Sequence, residues 1–392
     1  MKRVLLCFFI CLCLGGCSKK IEISRLGVVA GVGIDKTETG YLMTAQVINP
    51  TSVAGNHHDT LPIITIQAEG STIYESYSRL ANLTSKVLYI PHLSVIVIDE
   101  NIARDGINDV LDLALRDVEI RPNITLMVSK DEMASTVLST LSPNEEIPII
   151  QLNTLNNMCP DCTGRQVEYN LYDVINMLNG KGTELVLNSV QLKGNDLNEG
   201  EDISNILESN SPVQLEVSYL SVFQDDKMVG YLDSHEAIYY NVLMDNVKRY
   251  IITAKRDNQY NIVFEARNTK TDIKPDIDNR KVSIKCEVSG YIMENQYPID
   301  LTKPDNINMV ETYIAEAMKD NLSQLITKTQ TELKSDIIGI GSKIHMKEPK
   351  KWAKVQGYWQ EIYPTLTFDV EVKINIISVE DVQNLQKQEK EA

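Results

Sequence analysis

The last patterned segment of the chain alternates apolar and polar residues over the range 366–376. A period of two places successive side chains on opposite faces of a strand, so one face is buried and the other meets water. The polar positions include Asp369, Glu371 and Lys373, which mark the solvent face. This strand therefore needs an apolar layer against its other face, formed by Leu366, Phe368, Val370, Val372, Ile374 and Ile376.

A long amphipathic helix is predicted just upstream, over residues 307–333. Its apolar residues recur every three or four positions, which places them on one stripe of a helix. At 1.5 Å per residue the helix would be roughly 40 Å long, enough to cross a whole sheet. We expect this stripe to cover the C-terminal sheet; it comprises Ile307, Val310, Ile314, Met318, Leu322, Leu325, Ile326 and Leu333.

The N-terminal part has a different pattern. A strand hairpin over 26–48 is followed by short apolar strands that alternate with helical segments, which is typical of an α/β layer. The interval 194–212 is rich in Asn, Ser, Asp and Glu and reads as a boundary. We predict an α+β fold with mixed or antiparallel sheets and packed helices. Its parts are an N-terminal α/β domain over 17–205 and a C-terminal α+β domain over 206–392.

The first sixteen residues have the form of a lipoprotein signal peptide, 1–16. Lys2 and Arg3 give a basic start, an apolar run follows to Leu14, and Gly15-Gly16-Cys17 closes it. The run is shorter than the ~20 residues that span a bilayer. Cys17 directly after these small residues resembles a bacterial lipobox, so we predict a diacylglyceryl lipid on Cys17. The alternative is an ordinary cleaved signal that is followed by a cysteine.

Composition restricts the partners. The chain has 38 Lys and Arg against 54 Asp and Glu, a formal net charge of −16, and loses two more positive charges with Lys2 and Arg3. Such a chain repels polyphosphate backbones, so nucleic acid is excluded as a partner class. A hydrophobic content of 43% with 23% charged residues indicates a folded protein.

Few residues suggest chemistry. Cys159 and Cys162 form a single CxxC, which two free thiols or a local disulfide explain better than catalysis. His57-His58-Asp59 is a weak metal motif because it has no third partner nearby. Cys286 alternates with Ile284 and Val288, and is predicted to be a buried apolar residue. We therefore predict no catalytic residue, metal or cofactor, and the sequence leaves the ligand-binding residues unknown.

Several segments in this order resemble the Ger(x)C family of spore germination lipoproteins. They follow the lipobox and span nearly all of the mature chain. One departure is Ser18-Lys19, where family members often carry Trp-Asp after the lipidated cysteine. The resembling segments are Gly31–Lys36, Val95–Gly106, Leu115–Arg121, Lys227–Leu232, Asp272–Pro275, Asp336–Gly341 and the run from Pro349 through Trp352 to Pro364.

The resemblance implies a non-enzymatic C subunit of a nutrient germinant receptor. It implies assembly with membrane A and B subunits, on the outer face of the spore inner membrane, with lipid anchoring at Cys17. The resemblance leaves open whether the chain contacts the nutrient germinant directly or only indirectly. A substrate-binding lipoprotein of a small-molecule transporter is the alternative, and two similar α/β lobes around a cleft would favour it.

Overall fold

The computed structural model describes residues 25–49, 60–158, 163–256 and 260–377. Within these ranges the chain forms two sheets and the helices that pack on them, which confirms the predicted α+β class. The helices are α1 (Ile73–Leu80), α2 (Glu100–Asp105), α3 (Asn108–Arg116), α4 (Ala134–Ser139), α5 (Pro148–Met158), α6 (Leu171–Asn179), α7 (Ser204–Leu207), α8 (Ser234–Leu243), α9 (Pro304–Thr331), α10 (Ile340–Lys347), α11 (Pro349–Val355) and α12 (Trp359–Ile362).

The first sheet is mixed and runs in the order β3-β2-β1-β5-β6-β7-β8-β9, with the short β4 paired to β1. Its central strands β1, β5, β6 and β7 are parallel, while both outer pairs are antiparallel hairpins. The strands are β1 (Leu26–Lys36), β2 (Tyr41–Ile48), β3 (Ile63–Gly70), β4 (Val87–Tyr89), β5 (Val95–Asp99), β6 (Thr125–Ser129), β7 (Val186–Gly194), β8 (Val213–Gln224) and β9 (Lys227–Leu232).

Helices cover both faces of this sheet. On β5, Ile96 and Ile98 belong to a core shared with α1, α2, α3 and α6, whereas Val95 and Val97 belong to a second core shared with α4 and α5. All five residues of β5 and all five of β6 are buried. Burial on two faces explains why these strands read as continuous apolar runs rather than as alternating ones.

The second sheet has four strands in the order β10-β11-β12-β13. Val310, Ile314 and Met318 of α9 are fully buried in one core with the inward residues of these strands, so the prediction of a long helix over the C-terminal sheet is confirmed. Helix α9 starts at Pro304, because proline suits a first helical turn. The strands are β10 (Tyr250–Arg256), β11 (Tyr260–Asp276), β12 (Lys281–Asn295) and β13 (Thr367–Ile376).

Some predicted elements differ from those observed. The sequence over 102–115 predicts one helix, but the structure has two, α2 and α3, because Gly106 has φ +132 and Ile107 N–H donates to the carbonyl oxygen of Asp226 at 3.0 Å. Asp233 and Glu236 predict a capped helix that ends near residue 250, but this helix ends at Leu243. Asp245, with φ +57, turns the chain into β10 there.

The domain boundary at 205/206 stays a prediction. Strands β8 and β9, which follow it, are hydrogen-bonded into the first sheet. Among the described residues, no helix is both long enough and apolar enough to span a membrane.

Candidate functional site

Most residues that the sequence singled out lie outside the described ranges: Cys17, His57, His58, Cys159 and Cys162. Lipid attachment at Cys17 therefore stays a prediction. Cys286 is described and buried, as predicted, with its Sγ 3.5 Å from Thr271 Oγ1. Burial raises the pKa of its thiol. The features that remain to be explained are the segments that carry the family resemblance.

The segment 336–341 folds into a turn around the carboxylate of Asp336, which is 3% exposed. That carboxylate accepts hydrogen bonds from the backbone N–H groups of Ile340 at 3.0 Å and Gly341 at 2.8 Å. It also accepts one from Trp359 Nε1 at 2.9 Å. Gly339 adopts the left-handed conformation, φ +74, that the turn requires. Burial nevertheless raises the pKa of Asp336 to about 6.

Close packing joins this turn to the first sheet. A Cβ placed on Gly341 would lie 2.6 Å from Trp352 Cη2 and 2.8 Å from the Cα of Gly182, so no larger residue fits without movement. Ser342 N–H donates to the carbonyl oxygen of Gly182 at 2.7 Å. Gly182 precedes β7 of the first sheet. The turn thus holds two tryptophans on one side and the first sheet on the other.

Glu184 lies at the same junction. Its backbone N–H donates to the carbonyl oxygen of Asp336 at 3.0 Å, and its carboxylate accepts from Asp225 N–H at 2.8 Å. Burial, followed by the charges of Asp225 and Asp336, raises the pKa of Glu184 to about 7. A cavity of about 640 Å³ opens here between the segment that leads into β7 and the helices α11 and α12, with a lining that includes Lys181, Glu184, Asp225, Trp352, Trp359 and Glu361.

A second buried aspartate, Asp35, organises the end of β1. Its carboxylate accepts from the backbone N–H groups of Ala134 at 2.6 Å and Ser135 at 2.9 Å, in the first turn of α4. Burial raises its pKa to about 6, and the charge of Asp99 adds to the effect. Gly33 lets α4 approach, since a Cβ there would lie 3.1 Å from Ala134 backbone atoms. The segment 31–36 is therefore a joint between β1 and α4.

The segment 115–121 borders an open groove of about 1040 Å³ that also contacts α1. Val118 is 97% exposed at its rim, beside the exposed Leu115. Arg116 pairs with Asp112 at 2.7 Å, so acidic groups outnumber free cations along the groove. Burial, with the charges of Asp117 and Glu119, raises the pKa of Tyr77 to about 12. The charged and aromatic lining comprises Tyr41, Tyr74, Tyr77, Asp109, Asp112, Arg116, Asp117 and Glu119.

Of the three segments 31–36, 115–121 and 336–341, the first and the last thus hold a buried carboxylate that joins neighbouring elements of the fold. In the part of the chain that the structure describes, no group of three or more His, Cys, Asp or Glu side chains is placed to bind a metal ion.

Two family models match the chain, one after the other. The model described as the spore germination protein N-terminal domain matches residues 19–192. The model described as spore germination B3/GerAC-like, C-terminal, matches residues 218–380. The chain belongs to the GerAC-like family of spore germination proteins. The resemblance inferred from the sequence motifs is therefore confirmed.

Curated relatives agree with this family over almost their whole length. The chain is 28% identical to spore germination protein KC of Bacillus subtilis (strain 168), covering 93% of this chain and 92% of that protein. It is 25% identical to spore germination protein B3 of the same organism, covering 95% and 96%. The crystal structure of the GerBC protein aligns with a TM-score of 0.57 at 22% identity, covering 89% of this chain and 97% of that one, and shows a shared fold.

Sequence reasoning found the family segments but missed what joins them. The hydrogen bond from Trp359 to Asp336 spans 23 positions. The proline at 349 predicts one short helix that carries both Trp352 and Trp359, whereas these residues lie on two helices, α11 and α12. The available signal was the spacing of Gly339 and Gly341 after Asp336, with two isoleucines between the aspartate and the first glycine. That pattern predicts a tight turn, and a buried carboxylate in such a turn needs several donors.

Proposed function

We propose that this GerAC-like chain is the lipid-anchored, non-catalytic C subunit of a nutrient germinant receptor. In this role it associates with membrane A and B subunits on the outer face of the spore inner membrane and promotes germination. The observation that carries the proposal is the match of both halves of the chain to spore germination family models. The Gly15-Gly16-Cys17 sequence supports the anchor.

The geometry supports a scaffold rather than chemistry. Asp35 and Asp336 have the raised pKa values that acid–base residues often show. Both carboxylates, however, are bound by donors of neighbouring elements, which makes them joints of the fold. A lipid on Cys17 would hold the domains at the membrane. Tethering then raises the effective concentration towards the millimolar range, so weak contacts with membrane subunits would be occupied.

The groove beside Val118 is the described surface best suited to such contacts. It is large, partly aromatic and bordered by apolar side chains that the fold leaves in water. Large exposed apolar rims commonly mark interaction sites. By contrast, the substrate-binding lipoprotein alternative expects two similar lobes, whereas the two described sheets differ in strand number and in order.

Co-purification tests the proposal. The full chain, tagged at its C-terminus and expressed in sporulating cells, should bring down two integral-membrane subunits from detergent-solubilised spore membranes. Val118→Asp, which changes an exposed groove residue without disturbing the core, should reduce their recovery. Glu38→Gln, an exposed change in the β1–β2 turn, should leave recovery unchanged. If the tagged chain is recovered from well-preserved spore membranes without either membrane subunit, the result would contradict the proposal.

Function and anchoring need separate readouts. Deleting the chain should abolish germination with its cognate nutrient, while exogenous dipicolinate should still trigger it. Labelling with a palmitate analogue should mark the parent and the Cys162→Ala variant, and fail to mark Cys17→Ala. Label on Cys17→Ala would refute the anchor alone, whereas normal nutrient germination after deletion would refute the receptor role.

A further inference from the structure

One edge of the first sheet carries exposed apolar side chains from three separate segments. Strand β1 starts at this edge. The antiparallel β2 ends there, since Val29 pairs with Val47, and β3 starts there, since Val47 pairs with Ile64. We define the tether edge as the exposed or half-buried residues Arg25, Leu61, Ile64, Leu83, Lys86 and Val87.

The third segment reaches the same edge from the opposite end of the sheet. Helix α1 begins near the β1–β2 turn, where Ser76 Oγ donates to the carbonyl oxygen of Tyr41 at 2.9 Å. The chain then descends through residues 81–83 and enters β4, which pairs in parallel with the start of β1, Leu26 opposite Val87. A Cβ on Gly27 would lie 3.3 Å from Val47 Cγ1 and 3.5 Å from Lys86 Cβ.

The side chains at this edge are unusual for a surface. Leu61 is 42% exposed, Ile64 52%, Leu83 59% and Val87 50%. Single exposed apolar residues are ordinary, but a group at one edge marks a contact surface.

The charge of the edge differs from that of the chain. The four segments that meet here, 25–34, 41–49, 60–68 and 80–98, contain no Asp or Glu, although the chain has 54 of them. Arg25, Lys86 and His92 supply the only ionisable cations in these segments. Lys19, Lys20 and one carboxylate, Glu22, precede them in sequence. A surface without carboxylates, with apolar side chains and scattered cations, matches the boundary of an anionic phospholipid bilayer.

The position of Cys17 excludes the opposite edge of the sheet as the one that faces the membrane. Eight residue steps separate Cys17 from Arg25, and at most about 3.6 Å per step allows a reach of at most ~29 Å. Strand β1 runs from Leu26 to Lys36, and ten rises of about 3.3 Å make it ~33 Å long. If the opposite edge, at Lys36, rested on the membrane with β1 upright, Arg25 would lie farther from the membrane than this reach allows. A lipid on Cys17 therefore excludes that orientation.

We propose that the tether edge lies against the lipid headgroups, so that the first sheet stands on the membrane with β1 directed away from it. This inference rests on the lipid anchor of the proposed function. In this arrangement Leu61, Ile64, Leu83 and Val87 contact the headgroup boundary, and Arg25 and Lys86 face lipid phosphates. The β1–β2 turn and the N-terminal end of α1 lie on the side remote from the bilayer.

Photocrosslinking of the full lipidated chain tests this orientation. A benzophenone amino acid replaces Leu83 or Ile64, and the purified chain is reconstituted into vesicles of phosphatidylglycerol and phosphatidylethanolamine. Two comparably exposed controls carry the same group. Tyr74, 65% exposed, lies at the far end of α1, and Met346, 73% exposed, lies among basic residues of α10. Illumination should give phospholipid adducts at positions 83 and 64. Positions 74 and 346 should give none.

The outcomes separate the orientation from the anchor. Intact mass of each purified chain first reports the lipid on Cys17. A lipidated chain that gives adducts equally at all four positions, or only at Tyr74 or Met346, overturns the orientation alone. Adducts at 83 and 64 to a second protein chain instead of lipid also overturn it. A chain without lipid on Cys17 overturns the anchor and the orientation together.

Discussion

The two sheets of this protein are protected in different ways. The first is covered by helices on both faces, with separate apolar cores on each side of β5. The second is covered on one face by α9, while its other face carries charged pairs such as Lys285 with Glu371 at 2.8 Å. Exposed pairs of this kind contribute little to stability. The second sheet thus has helices on one face only, and its core also includes Leu220 and Val222 of β8, whereas β5 and β6 of the first sheet have helices on both faces.

The two buried aspartates differ in the same sense. Asp35 accepts two hydrogen bonds from α4, within the layers of the first sheet. Asp336 accepts three hydrogen bonds. Its turn contacts both the first sheet and the tryptophans, which pack in the core of the second sheet. The joint between sheets therefore concentrates more interactions on one side chain than the joint within a sheet does.

The largest effect should come from placing a charge on the buried face of α9, the longest helix that packs on the second sheet. Ile314→Asp would place an unpaired carboxylate at a fully buried position of α9, at a cost of several kcal/mol against a typical total of 5–15 kcal/mol. Gln324→Asp introduces the same residue at an exposed position of the same helix, and should change stability little. Chemical denaturation of the detergent-solubilised chain measures both.

Hydrogen exchange would sharpen this comparison. In Ile314→Asp, amides of β10–β13 should lose protection while those of β5 and β6 keep it, because β5 and β6 pack in two other apolar cores. Equal loss in β5 and β6 would show that the two sheets unfold as one unit, and would contradict this expectation.

These contrasts explain which parts of the fold were predictable. The alternation of apolar and polar residues in β13 and the apolar stripe of α9 are local sequence patterns. Each predicts that an apolar layer packs against it. The sequence predicts two short strands, around 262–266 and 282–288, whereas β11 and β12 have 17 and 15 residues. The difference arises because the exposed stretch of β11 around residues 267–272 is polar, and its pairing is decided by the register with β12. The break at Gly106 depends on the backbone bond to Asp226, which lies 119 positions from Ile107 and leaves no local sign.

The joints were less predictable than the sheets. The segments around Asp35 and Asp336 were recognised from family resemblance, but their partners are distant in sequence: Ala134 for the first and Trp359 for the second. Periodicity reports which face of an element is buried. It does not report which buried donor meets which acceptor, because that depends on tertiary packing.

The next effect compares the two joints directly. Asp336→Ala would leave three buried donors unpaired and should destabilise the chain by about 3–5 kcal/mol at neutral pH. Asp35→Ala removes two bonds at a helix N-terminus and should cost about 2 kcal/mol. Denaturation midpoints of the two variants, each compared with the parent, give the order. A larger loss for Asp35→Ala would mean that the joint within the sheet carries more of the stability.

The smallest effect concerns the pH dependence at the junction between the sheets. The pKa of Glu184 rises from 4.5 to about 7 on folding, so the folded chain binds more protons than the unfolded chain between these values. Stability from this group is therefore present below about pH 4.5 and is lost as pH rises towards 7. Glu184→Gln keeps an oxygen that accepts from Asp225 N–H and removes the charge beside Asp225 and Asp336.

The variant should accordingly lose less stability than the parent between pH 4.5 and 7, and should be at least as stable at pH 8. Glu361→Gln, the same change at an exposed position on the same cavity, is the matched control, and its curve should follow that of the parent. Asp35 remains in all three proteins, so its own loss of stability up to about pH 6 cancels in the comparison, whereas Asp336 also gains from removal of the neighbouring Glu184 charge. If the stability of the parent changes with pH in parallel with that of Glu184→Gln, the carboxyl of Glu184 titrates as it does in water. The junction would then be more open to solvent than the burial of Glu184 indicates.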